Sequence, residues 1–456
     1  MGCRRGGAVH PATPSLEFLI TAYEPLDEPL PEIRSGAEGR SARSSVALIL
    51  GATVIAGVAG YVVTWRVYTT VGAAGYGVFS VFWSALFLVV GILFGLQQES
   101  TRATAQTQVA RAAGPAAASA RTVSMWAFAG VTALVVAAVV MVTSLLWAAP
   151  SLGAEHQGLA WFVAVGAALN CLVAGASGVM AGAGMWRQLA AIVAIDGILR
   201  VLGVVTVLSF SHDLVLLAVA VILPFPLSLA IVFLSAPRAL VRNARLTIGV
   251  PALIANTGRT MLAASATAVL INGFPLVLSF FAGSDNHAQL GSLVLAVTLT
   301  RAPILVPLTA LSSMLVSRFS HQPEQVGRTV ALLLAGIAVV ILVLCGAAWL
   351  WGEPVMHLVF GAEFDLGAGV LVALIASSGL IGALFVSGSA VLARDAHGLY
   401  ATGWVVASVV TLVLLFLPVE LPTRAALALA AGPAVGLVVH LIGMRVRAPR
   451  AEAPAS

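Results

Sequence analysis

Residues Leu290 to Val316 read LGSLVLAVTLTRAPILVPLTALSSMLV, an apolar run interrupted by one arginine and two prolines. As a helix rising 1.5 Å per residue it is about 40 Å long, enough to cross a hydrocarbon layer of ~30 Å with some tilt. Arg301 stands near the middle, and a cation at that depth costs about 2.5–3.5 kcal/mol to insert. Its side chain is therefore expected to face protein, water or an anionic ligand rather than lipid. Pro303 and Pro307 remove backbone donors in the turns that follow, so a kink is expected, with carbonyls left for neighbours or water to satisfy. A kinked helix presenting a buried arginine fits a transport pathway. Neutralisation of that arginine by carbonyls of adjacent helices is the other reading.

The rest of the chain agrees with a membrane protein. Its 456 residues are 60% hydrophobic and 9% charged, with a mean hydropathy of +1.03, a composition that a water-soluble domain could not sustain. The formal charge of +5 comes from arginine alone. These arginines are scattered through short connections, which does not point to nucleic acid as a partner. Cys3, Cys171 and Cys345 have no disulfide or metal-ligand spacing. No Walker loop, GxSxG elbow, HExxH helix or paired-carboxylate motif is present. No enzymatic activity, cofactor or metal is expected.

Twelve apolar runs of spanning length follow a polar, Pro-rich segment, residues 1–45, expected to be a disordered cytoplasmic tail. The runs are Val46–Trp65, Tyr76–Leu96, Val123–Trp147, Gly158–Ala181, Leu189–Phe210 and Leu214–Ser235, then Thr260–Ala282, Leu290–Val316, Thr329–Trp351, Gly367–Ala393, Leu399–Leu417 and Ala425–Met444. The expected fold is all-α and polytopic, with 12 transmembrane helices in two six-helix bundles, 46–235 and 260–444. A cytoplasmic linker, 236–259, joins the bundles, and a short tail, 445–456, ends the chain. With both termini cytoplasmic, only Arg66 and Arg424 fall in outside connections, as the positive-inside rule requires. Two halves of six helices each enter the membrane from the same side, so they are expected to be parallel repeats.

Several other residues could carry function. Asp196 and Arg200 lie four apart within one run, on one helical face. They suit a self-neutralising ion pair, or a carboxylate that orients the arginine or exchanges a proton or cation. Pro224 and Pro226 are expected to break the sixth helix, and Pro275 the seventh. Glu99 and Arg102, at the inner end of the second, are either a solvated surface pair or a gate. Asn170, Asn256, Asn272 and His440 suit interhelical hydrogen bonding better than ligand binding.

An ordered set of short matches now accumulates: the turn GAAGYGVFS (Gly72 to Ser80), QQESTR (Gln97 to Arg102), TLTRAPILVPL and LVFGAEF (Leu358 to Phe364). Together they resemble the polysaccharide flippases (Wzx-type, exporters of O-antigen and teichoic-acid precursors) of the multidrug/oligosaccharidyl-lipid/polysaccharide exporter superfamily. In that family an F-G-x-x-F element precedes the tenth helix, and Phe360, Gly361 and Phe364 match it. The resemblance covers about residues 45 to 445. It implies a flippase for a lipid-linked anionic saccharide in a bacterial plasma membrane, with membrane lipids around it. It also implies cavity cations that meet the diphosphate; Arg301 and Arg200 match that role, with Asp196 beside the latter. A proton or sodium ion is a candidate coupling partner without an assigned residue. Alternatives are a drug or metabolite antiporter of the same superfamily and a membrane-embedded glycan polymerase or ligase.

Overall fold

The computed structural model describes residues 38–114, 122–283, 286–321, 323–394 and 396–446. The chain divides into Met1–Ser44 and Ser45–Ser456. Of the first unit only the helical stretch from Glu38 is described, so the expected tail lies mostly outside the described residues, and helix begins upstream of the expected start at Val46.

The elements are α1 (Glu38–Ala112), β1 (Val123–Ser124), α2 (Met125–Leu152), α3 (Leu159–Gly182), α4 (Trp186–Leu208), α5 (Leu214–Ile222), α6 (Pro224–Ser235), α7 (Pro237–Asn243) and β2 (Arg245–Leu246). They continue with α8 (Val250–Ile271), α9 (Phe274–Ala282), α10 (His287–His321), α11 (Val326–Phe360), α12 (Ala368–Leu392), α13 (His397–Leu414) and α14 (Leu421–Val446), with a 3₁₀ turn, Pro323–Gln325, before α11. Among the described residues ten helices are long and apolar enough to cross a bilayer, and the α8–α9 pair, bent by 53°, makes eleven. The first of the ten, α1, is itself two helices joined at Gly72, so the spanning segments number twelve, as the hydropathy runs predict.

Helix ends depart from the hydropathy boundaries because helices outrun the apolar layer. The expected loop after Leu96 is helix as far as Ala112, and the expected outside loop from Gly352 is helix as far as Phe360. Much of the expected linker is also ordered: it holds α7, the strand β2, which pairs with β1, and the first turns of α8. Breaks fall where backbone donors are missing or glycine relaxes the chain. The sixth span breaks at Leu223 before Pro224 and the seventh at Asn272–Gly273 before Pro275, as expected. The eighth span, α10, stays helical through Pro303 and Pro307, the two positions where a kink is expected. Arg301, Ile304, Leu305 and Leu308 of the same turns are buried.

The largest buried cluster joins residues from both ends of the chain, among them Val63, Phe82, Val163, Val294 and Leu374. By contrast α11 turns Leu332, Leu342, Leu350 and Leu358 outward, an apolar face that suits lipid contact.

Candidate functional site: a cavity around Arg301

The two arms of α1 double back at Gly72, whose φ of 74° lies in the region that glycine adopts at no steric cost. The Ala73 backbone N–H, at the start of the second arm, donates to Glu363 Oε2 at 2.9 Å. A carboxylate there caps a helix N-terminus, where orphan donors and the helix dipole favour negative charge. Tyr68 and Ser292 hydrogen-bond at 3.0 Å, and Ser292 donates to the Glu363 carbonyl at 3.4 Å. Phe360 packs edge-on against Tyr68, with ring centroids 5.6 Å apart. The segments GAAGYG and FGAEF, separated by almost the whole chain, thus form one junction.

Below this junction the first arm contributes Tyr61 and Thr64 to a cavity of about 250 Å³. The second arm contributes Tyr76, Phe79, Ser80, Trp83, Ser84 and Phe87, a helical face of alternating aromatic and hydroxyl side chains. Opposite lie Asn272 and Pro275 at the α8–α9 bend, and Val297, Thr298 and Arg301 of α10. The bend is tied to α1 by Ser84, whose hydroxyl donates to the Asn272 carbonyl at 2.5 Å and accepts from the Leu276 N–H at 3.1 Å.

Arg301 is 6% exposed and lies under this bend. Its Nη1 donates to the carbonyls of Leu270 and Ile271 at 3.4 and 3.2 Å, groups left over where the helix breaks. Its guanidinium lies 5.7 Å from the Phe274 ring centroid. Nε and Nη2 are buried with no hydrogen-bond partner, and no carboxylate forms an ion pair with Arg301 among the described residues. The carbonyl reading of this arginine accounts for one nitrogen of three. Buried donors left unmatched cost about 1–3 kcal/mol each, more on a charged group, so they mark where an acceptor is wanted.

The cavity closes at both ends by contact of the second arm with later helices. At the Gly72 end Gly291 meets the Ala73 carbonyl, and a Cβ on Gly291 would overlap it. At the other end Thr260 donates to the Gly95 carbonyl at 2.8 Å, and Asn256 donates to Glu99 at 3.3 Å. Glu99 is 1% exposed and takes a two-pronged contact from Arg102, at 2.8 and 2.5 Å. The pair is half solvated: the Arg102 side chain is 43% exposed, while Glu99 is buried and faces Asn256 of α8.

Arg200 does not line the Arg301 cavity. It donates to Asp196 at 2.6 Å and lies within 5.0–5.8 Å of the rings of Phe225, Phe87 and Trp83. The Trp83–Phe87 stack, with centroids 4.5 Å apart, separates it from the cavity. His440 is enclosed elsewhere, bonded to Ser387 at 3.0 Å and to the Tyr400 carbonyl at 3.2 Å, as interhelical glue.

No protein-family model matches the chain. The chain is 32% identical over 418 residues to uncharacterized protein Rv3630 of Mycobacterium tuberculosis and to uncharacterized protein Mb3654 of Mycobacterium bovis, covering 90% of this chain and 94% of each relative. It is equally identical over 419 residues to uncharacterized protein Rv1510 of Mycobacterium tuberculosis, covering 90% and 93%. The chain belongs to this mycobacterial protein family. Solved structures extend the family's likeness to its fold. An inward-facing multidrug resistance MATE family transporter of the MOP superfamily aligns with a TM-score of 0.68 at 13% identity, over 88% of this chain and 98% of its own. The lipid II flippase MurJ, inward closed, aligns with a TM-score of 0.62 at 13% identity, over 86% and 87%. This member of the mycobacterial family therefore has the MOP-superfamily fold.

Of the residues singled out in the sequence, Arg301, Asn272 and Pro275 line the cavity, and Arg301 is the only charged one among them. The aromatic and hydroxyl face from Tyr76 to Phe87 goes unremarked there, although its spacing of three and four residues is that of one helical stripe. The role of Glu363 has no signal within FGAEF itself, since its partner Ala73 lies 290 residues away.

Proposed function

We propose that the protein is a flippase that moves a lipid-linked, diphosphate-bearing saccharide from the cytoplasmic to the outer leaflet of a bacterial plasma membrane. The observation that carries this is Arg301, with two unmatched buried donors at a cavity walled by aromatic rings and hydroxyls. A diphosphate supplies the acceptors that Nε and Nη2 lack, since guanidinium–phosphate contacts are short, charge-assisted and two-pronged. Aromatic faces and hydroxyls are the groups that sugar rings, apolar on one face and hydroxylated at the rim, stack on and bond to. The MOP fold supports transport of this kind by analogy.

The cavity is smaller than the ~300–1,000 Å³ of typical ligand sites, so passage requires it to open. The two six-helix halves would rock about the second arm of α1, parting first the Glu99–Asn256 contact and then the Gly291–Ala73 contact. Both termini are cytoplasmic in this reading, which puts Glu99 at the cytoplasmic gate and Gly72 at the outer one.

The test is reconstitution in liposomes with a fluorescent lipid-linked oligosaccharide, following its appearance in the outer leaflet. The wild type is expected to move it, and Arg301→Gln to slow it by about 10- to 100-fold, because a hydrogen bond to a charged group is worth about 1.5–3 kcal/mol. Uptake of a cationic dye against a proton or sodium gradient, with no movement of the lipid, would replace this reading by the antiporter.

A further inference from the structure

Away from the cavity, α7 and the end of α1 enclose an open groove of about 760 Å³ carrying Arg111, Arg238, Arg242 and Arg245. Its floor is ordered. Arg111 donates to the carbonyls of Arg242 and Arg245 at 3.2 and 2.8 Å, and Gln108 donates to Asn243 at 3.1 Å. The backbone beyond is pinned by the β1–β2 pair and by the Met125 N–H donating to the Ala244 carbonyl at 2.8 Å. Among the described residues no acidic side chain lines the groove, and the two ion pairs, Glu99–Arg102 and Asp196–Arg200, involve none of its arginines. Arg111, held by backbone carbonyls, and the exposed Arg238, Arg242 and Arg245 line one groove with no ion-pair partner among the described residues, a set of guanidiniums suited to phosphate.

A second groove, of about 340 Å³, adjoins it in the chain. Trp126, Leu172, Pro226, Leu229, Phe233 and Leu234 give it a wholly apolar wall. Leu234, 78% exposed, ends the outward apolar face of α6, and Pro237 and Arg238 begin the basic groove directly after Ser235 and Ala236. The change from lipid-facing to cationic surface occurs within about one helical turn, the distance that separates acyl chains from headgroup phosphates at a bilayer interface.

We infer that these two grooves together form a binding site for an acidic phospholipid of the surrounding bilayer, with its phosphate among the four arginines and an acyl chain along Phe233 and Leu234. The site is separate from the Arg301 cavity and does not depend on the transport reading.

Native mass spectrometry of the full chain, after exchange into detergent with phosphatidylglycerol or phosphatidylcholine, tests it. The wild type is expected to retain phosphatidylglycerol over phosphatidylcholine, and the triple variant Arg238→Gln/Arg242→Gln/Arg245→Gln to lose that preference by about 100-fold, from about a fivefold gain per basic residue near anionic lipid. Leu234→Glu, at an exposed position that the core does not need, is expected to lower retention while leaving the arginines in place. Arg301→Gln is expected to leave retention unchanged whatever its effect on flipping. Equal retention of both lipids, or unchanged preference in the triple variant, overturns the site. Displacement by inorganic pyrophosphate with no effect of Leu234→Glu reduces it to an anion pocket. Stronger retention of undecaprenyl diphosphate than of phosphatidylglycerol makes it a substrate-carrier site; either outcome overturns the assignment to a bilayer phospholipid.

Discussion

Arg200 and Arg301 are the same residue buried to the same degree, 6% exposed, and they are matched in opposite ways. Arg200 has a carboxylate one turn away on its own helix and three aromatic rings around its guanidinium. Arg301 has two backbone carbonyls on one nitrogen, one ring and no carboxylate. Arg200 keeps one unmatched nitrogen, Nε, but its charge meets a counter-charge within the fold; Arg301 has two unmatched nitrogens and, among the described residues, no counter-charge. Burial alone therefore does not mark a binding arginine. An unmatched guanidinium that lines a cavity and has no carboxylate beside it does.

Breaking the Asp196–Arg200 pair should have the largest effect. In Asp196→Asn the buried Arg200 charge loses its partly buried partner; losing one member of a fully buried pair costs about 3–5 kcal/mol, which is the upper bound here. Thermal unfolding of the purified protein should shift downward strongly, while Arg301→Gln, which removes an unmatched charge, should leave the midpoint equal or higher. A similar midpoint for both variants would erase the distinction. The comparison is sharpened by giving Arg301 what Arg200 has. Val297 lies four residues before Arg301 and lines the cavity, so Val297→Asp reproduces the Asp196–Arg200 spacing with little change of volume. Diphosphate-lipid binding, measured by fluorescence titration, should weaken by about 10- to 100-fold, as it should in Arg301→Gln, although the arginine is still present. The smallest effect is expected from Phe274→Leu, which removes the ring near Arg301 and should weaken the same binding by a few-fold, since such contacts contribute about 0.5–1 kcal/mol at ordinary sites.

The helices were legible in the sequence because lipid contact demands long apolar runs, and their number follows from those runs. Their ends were not, because beyond Leu96 and beyond Trp351 the chain stays helical where hydropathy falls. Arg301 could be found because a cation inside an apolar run is costly wherever it points. Its surroundings could not: the Leu270 and Ile271 carbonyls are freed by a break at Asn272–Gly273, just before Pro275, in a helix distant in sequence. Tyr61, Trp83 and Phe87 look in sequence like any apolar filling, and only the doubling back of α1 turns them toward a shared space. Glu99 and Arg102 were legible as a pair, but not the burial that makes Glu99 a partner for Asn256.

The Gly72 junction also fixes a register. One residue separates the arms, with the N–H of the next already held by Glu363, so there is no slack in which an added residue could be absorbed. Each residue inserted there would turn the second arm by about 100° about its axis, the angular step of an α-helix. One step would swing Trp83 and Phe87 out toward lipid and carry Glu99 away from Asn256. The cavity wall and the far gate are thus set in phase by the length of a single turn at the opposite end of the helix, and the chain should tolerate substitutions along that arm more readily than any insertion or deletion at its start.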